Sequence, residues 1–105
     1  MATSQNPKSS GTGKASKFYM ACREGNAELV KRILKTMNVG EINKIEESNN
    51  STALHAASYF GHPEVVKILL EHGGNTHTHN GYGNIPEQEA TNEQVIELFR
   101  AYKNK

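Results

Sequence analysis

The sequence lacks the features of an exported or membrane-spanning protein. Its 105 residues include one cysteine, Cys22, so no internal disulfide can form, which suits a reducing compartment. No apolar run approaches the ~20 residues that a membrane helix needs, and the N-terminus has no apolar core of a secretory signal. We therefore expect a cytoplasmic or nuclear protein with no membrane partner.

Groupings that would support catalysis or cofactor binding are also missing. No nucleophile stands beside a base, and no acid–base pair is evident. The segment Gly11-Thr12-Gly13-Lys14 is similar to the end of a phosphate loop. However, Lys8 replaces the glycine required five residues before Gly13, and Ala15 replaces the serine or threonine required after Lys14. We predict that the chain is not an enzyme, has no catalytic residue and binds no cofactor.

Three histidines leave a metal-dependent module as an alternative interpretation. His77 and His79 lie on the same side of an extended segment, with His72 nearby, and imidazoles bind zinc and nickel. No carboxylate or cysteine of that segment completes a ligand set. We therefore predict no metal site.

Charge is unevenly distributed along the chain. The formal net charge is +1, but residues 1–40 contain seven Lys or Arg against two Glu, and the remaining residues contain five against nine. Solvated helix faces and a basic tail account for this pattern. An acidic partner or head-to-tail self-association is the alternative; we expect a monomer that binds no nucleic acid.

Residues 1–15 form a Ser-, Thr-, Gly- and Lys-rich segment without apolar periodicity. Such a segment cannot offset the entropy of ordering, so we predict a disordered N-terminal tail followed by one domain over residues 16–105.

Residues 51–74 contain the clearest pattern, which predicts two helices joined by a tight turn. Thr52 suits an N-cap, and Gly61 suits the left-handed residue that ends a helix near Phe60. Pro63 suits the first turn of the second helix, since its missing N–H would have no partner there. The run VVKILL then gives an apolar stripe at helical spacing, which Gly73 closes.

This stretch resembles the ankyrin repeat, whose first helix opens T-P-L-H and whose unit recurs about every 33 residues. The matching residues are Thr52-Ala53-Leu54-His55, Ala57, Gly61-His62, the run VVKILL and Gly73. The resemblance implies an all-α solenoid of stacked helix-turn-helix units with β-turn fingers. It also implies protein–protein interaction as the general mode of action.

Weaker copies flank the central repeat, giving three repeats over about 16–49, 50–82 and 83–105. Aligning the first repeat with the central repeat at an offset of 36 residues matches Phe18 with Leu54 and Cys22 with Ser58. The alignment predicts helices over about 17–24 and 27–37 in the first repeat. The third repeat is predicted to have a short polar first helix and an apolar second helix. Cys22 falls at an inner position, where we expect a buried, inert thiol.

The connection between the first two repeats has its own predictions. Val39, Ile42 and Ile45 are its expected apolar anchors. Asn50 stands where a positive φ is needed, which Asn tolerates better than most residues. In the central repeat, the resemblance assigns His55 a structural role, bonding backbone groups of that repeat's turn.

The resemblance places partner-binding residues on the concave face, at the ends of the first helices and on the finger tips. We expect Tyr59 and Phe60 to supply aromatic anchors there, although one of the pair could pack inward. The complete set of expected partner-binding residues is Arg23, Glu24, Ser48, Asn49, Ser51, Tyr59, Phe60, Gly81, Tyr82 and Asn84.

The function expected from the sequence is therefore a non-catalytic protein-binding module, acting as an adaptor or scaffold. One alternative is the N-terminal, substrate-recruiting segment of a larger multidomain enzyme. The other is the metal-dependent His-rich module.

Overall fold

The structure is a computed structural model that describes residues 14–46 and 50–103. Within these ranges the chain is helical, with an isolated β-bridge between Glu46 and Ser51 and no extended strand. The all-α prediction is confirmed. The helices are α1 (Lys14–Glu24), α2 (Ala27–Leu34), α3 (Val39–Ile42), α4 (Ala53–Tyr59), α5 (Pro63–Glu71), α6 (Pro86–Glu89) and α7 (Glu93–Lys103).

The first repeat differs from its predicted bounds at both ends. Helix α1 begins at Lys14, earlier than expected, and the rest of the predicted tail lies outside the described residues. Helix α2 ends at Leu34 rather than near 37. The N–H groups of Thr36 and Met37 donate to carbonyls three residues back, so the chain tightens into 3₁₀-type turns there.

The central repeat follows the local signals in its sequence. The Thr52 hydroxyl accepts from the His55 N–H and so caps α4, while Gly61 adopts φ +70° after the last turn. Pro63 opens α5, and Gly73 follows it with φ +91°. The helix bounds predicted for this repeat are confirmed.

The connection after α2 contains a short helix that was not predicted. Asn38 and Glu41 form a capping box around α3. Of the three expected anchors, Ile42 is buried, whereas Val39 and Ile45 are exposed, so the prediction is wrong for those two. Because α3 ends at Ile42, its helical spacing does not extend to Ile45, while Val39 is exposed at the first position of the helix.

Two turns project before the second and third repeats. The first finger spans residues 46–51, of which 47–49 are not described, and Asn50 has the predicted positive φ, at +56°. The second finger spans residues 80–84. The Gly81 N–H donates to the Asn50 carbonyl at 3.0 Å, so the fingers are joined through their backbones.

The helices stack in two layers, because each repeat's first helix packs on the first helices of its neighbours. Helices α1, α4 and α6 form one layer, and α2, α5 and α7 form the other. The core between the layers includes Leu54, Leu69 and Phe99. Cys22 is fully buried in it, which confirms the expected burial, and burial raises the pKa of its thiol to about 12, so the thiolate form is disfavoured.

No described helix combines the length and apolar character that crossing a bilayer requires.

Leu69→Ala tests the importance of the central repeat for stability. Leu69 is completely buried, so truncation removes apolar contacts and leaves a cavity. We expect the free energy of unfolding to fall by about 2–5 kcal/mol in urea melts. Lys67→Ala, an exposed change on the same helix, should shift it by less than about 0.5 kcal/mol. A loss below about 1 kcal/mol for Leu69→Ala would contradict this assignment.

Ser58→Ala tests a buried hydroxyl of α4. The Ser58 Oγ is fully buried and has no hydrogen-bond partner among the described residues. Since an unpaired buried polar group is destabilising, we expect Ser58→Ala to raise the free energy of unfolding by about 1 kcal/mol. Thr52→Ala is the matched control: its buried hydroxyl caps the same helix, so its loss should cost about 1 kcal/mol. If Ser58→Ala lost as much stability as Thr52→Ala, the unpaired Ser58 hydroxyl would not be destabilising and the prediction would be wrong.

Candidate partner-binding groove

An open groove of about 740 Å³ lies between the first-helix layer and the two fingers. We call it the finger groove. Its walls come from the first helices of all three repeats and from both finger backbones, so it exists only because the repeats are stacked. The aromatic lining residues are Tyr19, Tyr59, Phe60 and Tyr82, and the other lining residues are Asn50, Ser51, His55, Ala56, Asn80, Gly81 and Glu89.

Tyr59 and Phe60 form an aromatic pair at the end of α4. Their ring centroids are 5.0 Å apart and their planes make an angle of 87°, the edge-to-face arrangement that aromatic rings favour. The Arg23 guanidinium carbon lies 5.2 Å from the Phe60 centroid, within cation–π range. Tyr59 is 53% exposed and Phe60 is 45% exposed, so neither ring is part of the core.

The second finger holds Tyr82 outward on a fixed backbone. The Asn80 Oδ1 accepts from the N–H groups of Tyr82 and Asn84, each at 3.0 Å. The Gly83 N–H donates to the Asn80 carbonyl, and Gly83 adopts φ +80°. Tyr82 is 84% exposed despite this ordered backbone.

Glu89 supplies a carboxylate to the groove. Its Oε2 accepts from the side-chain amides of Asn80 at 3.0 Å and Asn84 at 2.8 Å. The amide of Asn84, and then that of Asn80, lowers the pKa of Glu89 against the opposing effect of burial. The carboxylate is therefore ionised at neutral pH.

His55 links the cap of α4 to the second finger. Its Nδ1 accepts from the Thr52 hydroxyl at 2.8 Å, and its Nε2–H donates to the Asn84 carbonyl at 2.8 Å. These partners define a neutral imidazole with its proton on Nε2. Burial lowers the pKa of His55, more than the Asn84 carbonyl and the Glu89 carboxylate raise it. The structural role expected for His55 is confirmed.

The first helices α1 and α4 are also fixed at their C-terminal ends by the next repeat. The His62 Nε2–H donates to the Arg23 carbonyl at 2.8 Å, and the Thr91 hydroxyl donates to the Tyr59 carbonyl at 2.9 Å. Arg23 and Tyr59 are equivalent under the 36-residue shift. The backbone beneath both groove-edge positions is thus anchored, while their side chains remain outside the core.

The structure brings part of the expected partner-binding set together. Arg23 packs over Phe60 without lining the groove, and Glu24 is exposed outside it. Asn84 bonds both His55 and Glu89, so its contacts are structural. Ser48 and Asn49 lie outside the described residues. The expected residues that line the groove are Ser51, Tyr59, Phe60, Gly81 and Tyr82.

Sequence reasoning missed several groove residues. Tyr19 occupies the place in the first repeat that His55 occupies in the second, so the shift of 36 could have identified it. Asn80 precedes Gly81, and an Asn-Gly pair is a turn signal. No sequence pattern marked Glu89, because its carboxylate is positioned by the side-chain amides of Asn80 and Asn84 in the second finger. The remaining missed lining residues are Asn50, His55 and Ala56.

The histidines do not converge. The Nδ1 of His72 donates to the Ile68 carbonyl, and the Nδ1 of His77 bonds the Thr76 hydroxyl. Across residues 14–46 and 50–103, no three His, Cys, Asp or Glu side chains are placed to hold a metal ion together.

A family model described as ankyrin repeats in three copies matches residues 10–102. Inversin from Canis lupus familiaris is 33% identical over 75 residues, which cover 71% of this chain and 7% of that protein. Potassium channel AKT2/3 from Arabidopsis thaliana is 34% identical, with 82% of this chain and 10% of the channel covered. SMC5-SMC6 complex localization factor protein 1 from Bos taurus is 33% identical, covering 82% and 8% respectively. The chain therefore spans a small fraction of these curated relatives.

The His55 environment predicts a pH dependence of stability. Its pKa is lowered in the folded chain, so below its ordinary value of about 6.5 the unfolded chain takes up a proton that the folded chain resists. The free energy of unfolding should therefore fall as pH drops below about 6.5. In urea melts at about pH 7 and pH 5, His55→Gln should be less stable at pH 7 but lose less on acidification. Parallel losses in parent and variant would contradict the prediction.

Proposed function

Given that this chain belongs to the ankyrin-repeat family, we propose that it is a non-catalytic module that holds a partner protein in the finger groove. The observation that carries the proposal is the exposure of Tyr59, Phe60 and Tyr82 in one depression. Exposed aromatic groups are common at interface hot spots, and no packing requirement of the fold explains these three.

The groove is organised before a partner arrives. Tyr59 and Phe60 are held by their edge-to-face contact, and Arg23 covers a face of Phe60. Tyr82 stands on a finger whose turn is closed by hydrogen bonds of Asn80. Rigid aromatic groups lose little conformational entropy on binding, so more of their contact energy becomes affinity.

The relatives support a binding role for the repeats rather than one shared activity. A potassium channel and a localization factor of the SMC5-SMC6 complex are different kinds of protein, yet both match this chain over most of its length. What they have in common with the chain is the matched segment, over 86 residues for the channel and 89 for the localization factor. We propose that the chain acts as a monomeric adaptor or scaffold in the cytoplasm or nucleus.

Tyr59→Ala and Tyr82→Ala test the groove after a partner has been isolated by affinity purification. Each change should weaken binding by about 1–2 kcal/mol or more in calorimetric titration, because each removes an exposed aromatic contact. Circular dichroism melts should remain close to those of the parent, since neither ring is buried.

Lys67→Ala is the control, because Lys67 lies on the second-helix layer, away from the finger groove. It should bind the partner as the parent does. If both tyrosine variants keep parent affinity with intact folds, the groove is not the binding surface, and the basic residues of the first repeat become the next surface to test.

A further inference from the structure

The charge inside the finger groove has one sign. Glu89 is the carboxylate among its described lining residues, and none of those residues is a lysine or arginine. His55 contributes no positive charge, since its Nδ1 accepts a hydrogen bond and its Nε2 carries the ring proton. The lining residues therefore present a carboxylate among aromatic rings. Arg23, the basic side chain at the groove edge, packs over Phe60, and the described hydrogen bonds of the carboxylate come from Asn80 and Asn84 instead.

Glu89 is held in place but only partly satisfied. Both described hydrogen bonds to its carboxylate end on Oε2, and both come from neutral amides. No described residue donates to Oε1. The neutral amides fix the carboxylate without supplying a compensating charge, so one oxygen remains available to a cation from outside the chain.

The aromatic rings add attraction for the same kind of group. A cation within about 6 Å of a ring centroid is attracted by the electron-rich face. Within the chain, Arg23 already occupies such a position over Phe60 at 5.2 Å. Tyr59 and Tyr82 have no cation of this chain over their faces within the described residues. Their rings and the Glu89 Oε1 are therefore complementary to a positive group.

We propose that the finger groove selects a partner segment by one lysine or arginine side chain, which pairs with Glu89 and packs against the tyrosine rings. This inference rests on the proposed function, because it names the chemistry of the partner in the same groove. An aliphatic stem suits the aromatic walls, and the charged end suits the carboxylate. An acidic segment would instead place like charges together.

Selection from a random twelve-residue peptide library displayed on phage supplies the probes, with the intact chain as bait. The selected peptides should share a lysine or arginine at one position. Their affinity for the parent, measured by fluorescence anisotropy, should fall at least about tenfold when norleucine replaces a lysine at that position. Norleucine keeps the aliphatic stem and removes the charge.

Glu89→Gln is the matched change on the protein. The glutamine carbonyl oxygen can still accept from Asn80 and Asn84, but the negative charge is gone. We expect this variant to bind the basic peptides at least about tenfold more weakly, and to bind the norleucine peptides as the parent does. Glu71→Gln removes the same charge from the exposed end of α5 and should leave all affinities unchanged.

The outcomes separate this inference from the function on which it rests. Peptides that need Tyr59 and Tyr82, carry no shared basic residue and tolerate Glu89→Gln would overturn the cation selection while supporting the groove. Peptides that tolerate Tyr59→Ala and Tyr82→Ala would overturn both the groove and the selection. An equal loss of affinity in Glu89→Gln and Glu71→Gln would show nonspecific electrostatic attraction and would also overturn the selection.

Discussion

The hydrogen bond from the His55 ring to the Asn84 carbonyl joins the most regular repeat to the second finger, and the finger groove depends on it. On its other side the ring accepts from Thr52, which caps the helix that carries His55. Asn84 in turn gives its amide to Glu89. A continuous polar network thus runs from a buried helix cap to the groove, and a low local dielectric strengthens the hydrogen bond at its buried end, between Thr52 and His55.

This arrangement separates the residues that stabilise the fold from those whose side chains are exposed at the finger groove. At the C-terminal ends of the first helices, His62 and Thr91 bond the backbone carbonyls of Arg23 and Tyr59. The backbone is fixed there by the neighbouring repeat, so the side chains at those two positions need not pack to hold the stack together. The same separation applies in the second finger, where Asn80 orders the turn and leaves the Tyr82 ring exposed.

Features with local causes could be predicted from the sequence, and features with tertiary causes could not. The bounds of α4 and α5 follow from Thr52, Gly61 and Pro63, whose effects act within one turn of helix. The positive φ of Asn50 also has a local cause, since it follows from the conformational preference of asparagine itself. By contrast, the exposure of Val39 depends on where α3 lies against its neighbours. Tyr59 and Tyr82 were identified from their repeat positions, whereas Tyr19 was missed. The location of Glu89 required knowing that the second finger folds back on α6.

The charge of Glu89 is significant because of where the repeat pattern puts it. Under the 33-residue shift Glu89 is equivalent to Ala56, which is buried and also lines the groove. Replacing a small apolar residue by a carboxylate at such a position carries a desolvation cost, which the amides of Asn80 and Asn84 offset. Those amides could equally have bonded water or backbone if the position had stayed apolar, so the stack itself does not require the charge. The repeat that departs most from the pattern therefore supplies the carboxylate of the finger groove.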